Sequence, residues 1–153
     1  MAQTTGGMSA SAMYVGYSTA GSTYTEASGG SNSIQVSGGE RTTGAAYTFD
    51  GDTPIIKGGK RAPITVTWRG IYSPDADEIF SVAQTAYEAG SAFYLRWSPG
   101  GGDAGDLGYT TSVGIIKSIT YPGGEVDSGD PILTEVVLEC ASITESTIGS
   151  AGW

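Results

Sequence analysis

The sequence predicts a mainly β protein, a β-sandwich or barrel-like pair of sheets with one packed α-helix and an extended N-terminal arm. Two observations lead to this fold class. The 153 residues include 25 glycines and 9 tyrosines, a composition typical of strands joined by tight turns. Apolar and polar residues alternate with period two in most segments, whereas one segment has a helical period. The chain is long enough for one domain with its own core.

Residues 1–33 are rich in Gly, Ser, Thr and Ala, and Glu26 is their only charge. Alone, such a segment cannot bury enough apolar surface to compensate for its ordering entropy. We expect either a flexible tail or an arm that becomes ordered against a neighbouring subunit through Tyr14, Tyr17 and Tyr24. Residues 34–146 then form the sandwich domain, and residues 147–153 form a C-terminal tail.

The segments before the helix read as short strands. A strand, a Gly-Gly turn and a second strand reach from residue 34 to about residue 49. A short strand at residues 55–56 precedes a second Gly-Gly turn at residues 58–59. A long strand follows at residues 64–72, where alternation separates two faces. One face carries Ile64, Val66 and Trp68, and the other carries Thr65, Thr67 and Arg69.

The helix is predicted at about residues 73–90. Ser73 is suited to the N-cap, Pro74 to the first helical position, and Gly90 to the C-terminal end. Acidic residues in the predicted first turn complement the helix dipole. The apolar stripe comprises Ile79, Val82, Ala83, Ala86 and Tyr87, with Phe80 at its edge.

Three more strands are predicted after the helix, at about residues 91–98, 108–121 and 131–144, with a turn at 122–130. In the first, Phe93, Leu95 and Trp97 share one face. In the last, one face carries Ile132, Thr134, Val136, Leu138 and Cys140, and the other carries Leu133, Glu135, Val137, Glu139 and Ala141. We expect the single cysteine, Cys140, to be a small buried apolar residue, because no histidine is present to activate it.

Charge argues against a nucleic-acid-binding surface. The chain has 16 acidic and 7 basic residues, for a net charge of −9, so it should repel polyanions. Charged residues make up only 15% of the chain, against about 25% in ordinary soluble domains. We therefore expect a surface of hydroxyl groups and glycine, or a surface covered by further copies of the chain.

The stretch "WSPGGGDAGDLGYTT" contains a G-x-G-x-x-G pattern at Gly100, Gly102 and Gly105. A dinucleotide site needs a helix to open from such a loop, so that its N-terminus meets the phosphates. Here a β-type segment follows, and Asp103 and Asp106 would repel phosphate. The loop is therefore predicted to be a hairpin connection between two strands.

Catalytic and metal-binding patterns are weak. Without histidine the sequence has neither a Ser-His-Asp nor a Cys-His arrangement. Carboxylate pairs at residues 50 and 52, 103 and 106, and 127 and 130 lack calcium-loop spacing and suit turns. We expect no enzyme activity, cofactor or metal. The chain also shows neither a secretory signal nor an apolar run of about 20 residues that could span a membrane, which predicts a protein assembled in the cytoplasm.

The order of elements resembles a known family. "APITVTWRGIYSPDADEIFSVAQTAYEAGSAFYLRWSPGGG" and "GYTTSVGIIKSITYPGGEVDSGDPILTEVVLECASIT" together resemble the major tail tube protein of long-tailed bacteriophages, whose fold is shared with type VI secretion tube proteins. The resemblance covers roughly residues 31–146. It rests on element order, on the helix position and on the Ile- and Val-rich closing strands.

This resemblance implies a structural role in a virion tail, assembled in the host cytoplasm. Tube subunits form rings, commonly hexameric, whose inner strands join into one β-barrel around a channel that DNA traverses. Terminal arms and a long hairpin loop reach adjacent rings, and tape-measure and terminator proteins are further partners.

Two sets of candidate residues follow. The candidates for a channel wall that is acidic and does not bind DNA are the polar strand faces, such as that of Glu135 and Glu139 or that of Thr65, Thr67 and Arg69, and the sequence leaves open which face lines the channel. Contacts between subunits would involve Gly100, Gly101, Gly102, Asp103 and Asp106, together with Tyr14, Tyr17 and Tyr24. The alternatives are a capsid-decoration or carbohydrate-binding β-sandwich and, less favoured, a carboxylate-based hydrolase.

Overall fold

The computed structural model describes residues 12–124 and 129–153. This part of the chain holds eleven strands, one α-helix and a short 3-10 turn at Ser28–Gly30. The turn predicted at 122–130 lies partly outside the described residues. The elements are β1 (Tyr14–Ser18), β2 (Thr25–Glu26), β3 (Ser31–Gly38), β4 (Arg41–Ala46), β5 (Ile55–Arg61), β6 (Ile64–Ile71), α1 (Ile79–Ala89), β7 (Ala92–Ser98), β8 (Leu107–Thr111), β9 (Gly114–Thr120), β10 (Leu133–Cys140) and β11 (Ile143–Thr147).

Two antiparallel layers share strand β7. The first sheet has the strand order β3-β6-β10-β9, and β7 joins its far side through Ala92 and Phe93. Further along, β7 leaves β9 and pairs with β1 and β8 in the second sheet, whose order is β2-β1-β7-β8-β11. The predicted mainly β architecture with one helix is confirmed. The sheets do not close into a barrel within one subunit.

Two segments that read as single strands each divide between the sheets. The predicted strand 108–121 becomes β8 and β9, and the predicted strand 131–144 becomes β10 and β11. The bends lie side by side. The Ser112 amide donates to the Ser142 carbonyl at 2.9 Å, and the Ser142 amide donates to the Ser112 hydroxyl at 3.1 Å. Mutual hydrogen bonding therefore lets both chains turn without leaving these backbone groups unpaired.

The core lies between the first sheet, strand β7 and the helix. The faces predicted from alternation are confirmed, since Val66, Trp68, Val136 and Leu138 are fully buried. The Trp68 indole nitrogen donates to the Ser31 hydroxyl at 2.8 Å, which satisfies the one polar atom of that side chain. Cys140 is buried as predicted, and burial raises the pKa of its thiol.

The helix starts later than predicted. Residues 73–78 form a turn in which the Ser73 hydroxyl donates to the Asp75 carboxylate at 2.9 Å, so the prediction of Ser73 as N-cap is wrong. The Tyr17 hydroxyl donates to the Asp77 carbonyl, which holds this backbone outside the helix. Gly90 ends the helix in the left-handed conformation, at φ 62°, as predicted. Phe80 lies in the core, whereas Tyr87 is exposed, so the buried stripe is rotated from the predicted one.

The N-terminal third belongs to the fold from residue 14 onward. All five residues of β1 are buried, and the strand pairs with β7 along its whole length. The predicted boundary between residues 33 and 34 therefore falls inside β3, and the boundary between 146 and 147 falls inside β11. Residues 1–11 of the predicted arm lie outside the described residues.

Candidate assembly surfaces

The outer face of the first sheet is polar, and we call it the polar face. In the register of β10 and β6, Glu135 lies opposite Arg69 and Glu139 lies opposite Thr65. Between these two pairs, Thr67 lies opposite Val137. Since their neighbours on both strands point into the core, the five residues predicted to line a channel share this one face. On the next strand, β3 adds Ser33, Gln35 and Ser37.

The charges of the polar face are balanced. Arg69 pairs with Glu135, and Lys117 of β9 lies with its Nζ 3.3 Å from Oε2 of Glu139. Each of these carboxylates therefore has a cation as its neighbour, so the polar face is charge-balanced and not acidic. That this face lines a channel stays a prediction. Sequence analysis missed Lys117. A shift of register on β9 opposite Val137 and Leu138 leaves Lys117 and Ser118 both exposed, a position that simple alternation does not reveal.

Both outer edges of the first sheet are open among the described residues. Strand β3 is paired on one side, by β6, and β9 beyond Ile115 is paired on one side, by β10. Each edge presents backbone donors and acceptors. The β3 edge also presents the exposed apolar side chain of Val36, whereas the exposed Ile115 lies where β9 is still paired on both sides, by β10 and by β7. Open edges of this kind are templates for pairing with another chain.

A long hairpin, β4 and β5 with residues 47–54 between them, continues the β3–β6 ribbon beyond the sheet. The Gly39 amide donates to the Pro63 carbonyl at 3.0 Å, and the Ala62 amide donates to the Glu40 carbonyl at 2.7 Å. Residues 40–63 are exposed except for the half-buried Pro54. The hairpin carries Arg41, Lys57, Lys60 and Arg61, four of the seven basic residues, and the exposed aromatic residues Tyr47 and Phe49.

The two Gly-Gly pairs, at residues 38–39 and 58–59, do not form the strand-joining turns that the sequence predicts. Gly38 and Gly39 have φ of 79° and 72° and lie where the ribbon passes from β3 into β4, two strands that pair with other partners. The turn predicted at Gly58 and Gly59 is wrong, because both residues lie inside β5. A Cβ on Gly59 would lie 2.3 Å from the Thr42 hydroxyl, so close cross-strand approach explains that glycine better than a turn.

The glycine loop joins β7 to β8, which pair as an antiparallel hairpin, as predicted. It is folded onto the C-terminal segment of its own subunit. The Trp153 amide donates to the Gly102 carbonyl at 3.0 Å, and the Gly105 amide donates to the Ile148 carbonyl at 3.0 Å. The Asp103 amide donates to the Asp106 carboxylate at 3.1 Å, and Gly100 and Gly101 lie beside Asp106 and Ala12 respectively. Any contact of this loop with another subunit stays a prediction.

The three predicted contact tyrosines pack within the subunit, and two of them surround Arg96. Tyr14 and Tyr17 are buried, with 6% and 5% of their surface exposed. The Arg96 guanidinium lies 4.4 Å from the ring centre of Tyr24, 4.7 Å from that of Trp153 and 5.2 Å from that of Tyr14. It also donates to the Tyr14 hydroxyl at 2.8 Å. This arginine clamp ties the N-terminal strand and the C-terminal segment to β7.

Burial raises the pKa of the Tyr24 hydroxyl, and the positive charge of Arg96 acts in the opposite direction. The tyrosine is therefore neutral at pH 7 and presents its ring face to the cation. Tyr14 and Tyr17 have little surface left for a contact with another subunit, since their burial is complete before any partner is present.

Trp153→Ala is expected to lower the free energy of unfolding by about 2 kcal/mol, because the indole packs on Arg96 and Tyr14 and covers Gly108. Urea denaturation followed by circular dichroism measures the change. Tyr47→Ala removes an aromatic ring of similar size that is 72% exposed and should shift stability by less than about 0.5 kcal/mol. Equal effects of the two substitutions would contradict the clamp.

Other kinds of site find little support in the described part of the chain. There, no three His, Cys, Asp or Glu side chains are grouped so that they could hold a metal ion. No helix of residues 12–124 or 129–153 is long and apolar enough to cross a membrane. An open hollow of about 500 Å³ is lined by apolar side chains, among them Pro63, Val113 and Ile115, and by the ion pair of Lys117 and Glu139 on the polar face.

Neither a family model nor a curated protein matches the sequence. Solved structures do match, over nearly the whole length of both chains. A chain of the extended sheath–tube complex of the extracellular contractile injection system PVC is 15% identical, with a TM-score of 0.64 and coverage of 94% of each chain. The chain has a tail-tube fold. A chain of the tail of an empty gene transfer agent particle, refined with C6 symmetry, is 15% identical, with a TM-score of 0.62 and coverage of 95% of this chain and 98% of that one.

A third matching structure is a cap that terminates a tube. A chain in the tube-terminating cap of the anti-feeding prophage is 15% identical, with a TM-score of 0.65, and covers 96% of this chain and 95% of that one. These likenesses confirm the fold that the sequence resemblance implied.

Proposed function

We propose that this protein is a structural subunit that assembles into stacked rings and so forms the tail tube of a phage-like particle. The observation that carries the proposal is a sheet with two open edges and one polar face, set in a chain that has a tail-tube fold throughout. The particle tail is its proposed location, after assembly in the host cytoplasm. Its proposed partners are further copies of itself and other tail proteins, including tape-measure and terminator proteins.

Within a ring, the β9 edge of one copy pairs with the β3 edge of the next. This contact uses two different edges of the subunit, so repetition around a rotation axis closes a ring and leaves no edge exposed. Val36 of the β3 edge, 48% exposed in the subunit, then lies at the joint and is covered. The polar faces of all copies become the wall of one barrel around the channel.

Between rings, the hairpin is the proposed contact. From residue 40 to its tip it spans about 30 Å, at about 3.3 Å per residue, beyond the sheet end at which Gly38, Ile64 and Cys140 lie. The opposite end carries Glu26 and Glu78, which line a hollow together with Ile71 and Ser73. The four basic residues lie on the two strands of the hairpin, whereas Asp50 and Asp52 lie near its tip. In a stack of rings with one polarity, the basic strands of the hairpin, and not its tip, therefore lie against the acidic end of the next ring.

No catalytic step belongs to this proposal. The two glutamates of the polar face each hold a cation, which makes them poor candidates for the paired carboxylates of a hydrolase, because one of those carboxyl groups must be protonated as the acid.

Assembly of the purified protein tests the proposal. Concentrated or seeded protein is expected to form tubes of uniform diameter in negative-stain electron micrographs. A protein that stays monomeric by light scattering at every salt concentration, and also fails to assemble with a tape-measure protein or an initiator complex, would show that the proposal is wrong.

A further inference from the structure

The basic residues of this chain are distributed unevenly. Four of the seven lie on the hairpin, and Arg96 is enclosed in the arginine clamp. The remaining two, Arg69 and Lys117, both lie on the polar face, with side chains that are 53% and 63% exposed. Two exposed cations per subunit, repeated around a ring, would make a cationic belt that attracts phosphate groups.

Each of these cations has its own carboxylate. Glu135 lies directly opposite Arg69 across the β6–β10 pair, and Glu139 reaches Lys117 diagonally across the β9–β10 pair. Opposite charges at such separations produce a dipole, and the field of a dipole falls off much faster with distance than that of a single charge. At 0.1 M ionic strength, screening over about 10 Å weakens the remainder.

We propose that Glu135 and Glu139 are charge masks, which prevent the polar face from capturing DNA by neutralising Arg69 and Lys117. The inference rests on the proposed function, in which the polar face is the wall of a channel. The masked wall is electrically balanced. DNA is then neither held by free cations nor driven out by free carboxylates, and it slides along hydroxyl and amide groups such as those of Thr67 and Gln35.

The variant E135Q/E139Q tests the masks, because glutamine keeps the size of the side chain and removes its charge. Binding of a short fluorescent DNA duplex to unassembled subunits, followed by anisotropy at low salt, is expected to tighten by about 5-fold for each unmasked cation and about 25-fold for both. The gain should disappear as salt is raised. In assembled tubes, the variant is expected to retain duplex that nuclease cannot reach.

Two matched variants control for net charge. E88Q/E145Q changes the charge by the same amount at exposed positions away from the polar face and should bind DNA like the unchanged protein, within about 2-fold. R69Q/K117Q/E135Q/E139Q removes masks and cations together and should also return to the unchanged level. The single variants E135Q and E139Q provide the same test if the double variant does not fold.

Equal DNA binding by E135Q/E139Q and E88Q/E145Q would overturn the masking, as would persistent tight binding by the fourfold variant. The subunit assay does not depend on tube formation. A failure of the unchanged protein to form tubes would therefore count against the proposed function, whereas a failure of the anisotropy assay would count against the masks alone.

Discussion

Replacing residues 41–61 by Asn-Gly is expected to abolish the stacking of rings into tubes while the subunit stays folded. The Ala62 amide already donates to the Glu40 carbonyl at 2.7 Å, which is the bond that closes a two-residue hairpin turn between these residues. The segment that is removed is exposed except for Pro54 and contributes little to the core. Negative-stain microscopy and sedimentation velocity should detect rings or subunits in place of tubes.

Charge reversal makes the same test without shortening the chain. K57E/K60E is expected to prevent stacking, because it places acidic hairpins against the acidic end of the next ring. Adding E26K/E78K in the same chain restores opposite charges and should restore tubes. The urea midpoint is the control for folding in each variant. Full-length tubes from the protein without its hairpin would refute the assignment of this contact.

Trp68→Ala is expected to lower the free energy of unfolding by about 3–5 kcal/mol, the usual cost of removing a large buried aromatic side chain. Trp68 is fully buried, and its ring lies so close over Gly70 that an added Cβ there would be 2.2 Å from it. The backbone at Gly70 therefore packs directly against the indole ring, and only a residue without a side chain fits there. Urea denaturation measures the loss.

Trp68→Phe and Thr67→Ala are the graded controls. Phenylalanine keeps much of the ring but removes the hydrogen bond to Ser31, and an intermediate loss is expected. Thr67 lies on the polar face of the same strand, where truncation should cost less than about 1 kcal/mol. A loss for Trp68→Ala as small as that for Thr67→Ala would show that the core is not organised around this residue.

Much of the sheet could be predicted because strand periodicity records burial directly. Val66 and Trp68 point inward and Thr67 and Arg69 point outward, as their alternation requires. The bends at residues 112–113 and 141–142 could not be predicted, because the alternation of apolar and polar residues continues through them. Their cause is a pair of hydrogen bonds between Ser112 and Ser142, which are distant in the sequence. The late start of the helix has a similar origin in the bond from Tyr17 to the Asp77 carbonyl.

The candidate surfaces were predictable in part. Alternation separated Glu135 and Glu139 on one strand, and Thr65, Thr67 and Arg69 on another, from their buried neighbours. It could not show that the two strands pair or that their common face is charge-balanced, because Lys117 comes from a strand with an irregular register. Tyr14 and Tyr17 lie in a polar tract whose composition suggests a free arm. Their burial depends on pairing with β7, some 80 residues away in the sequence, which a local pattern does not encode.

A cryo-electron microscopy map of the assembled protein tests the central claim most directly. The account predicts a tube in which β3 and β9 of neighbouring copies pair, Glu135 and Glu139 face the channel, and the hairpin reaches the adjacent ring. An assembly in which the polar face lies on the outer surface, or in which the β3 and β9 edges stay unpaired, would contradict it.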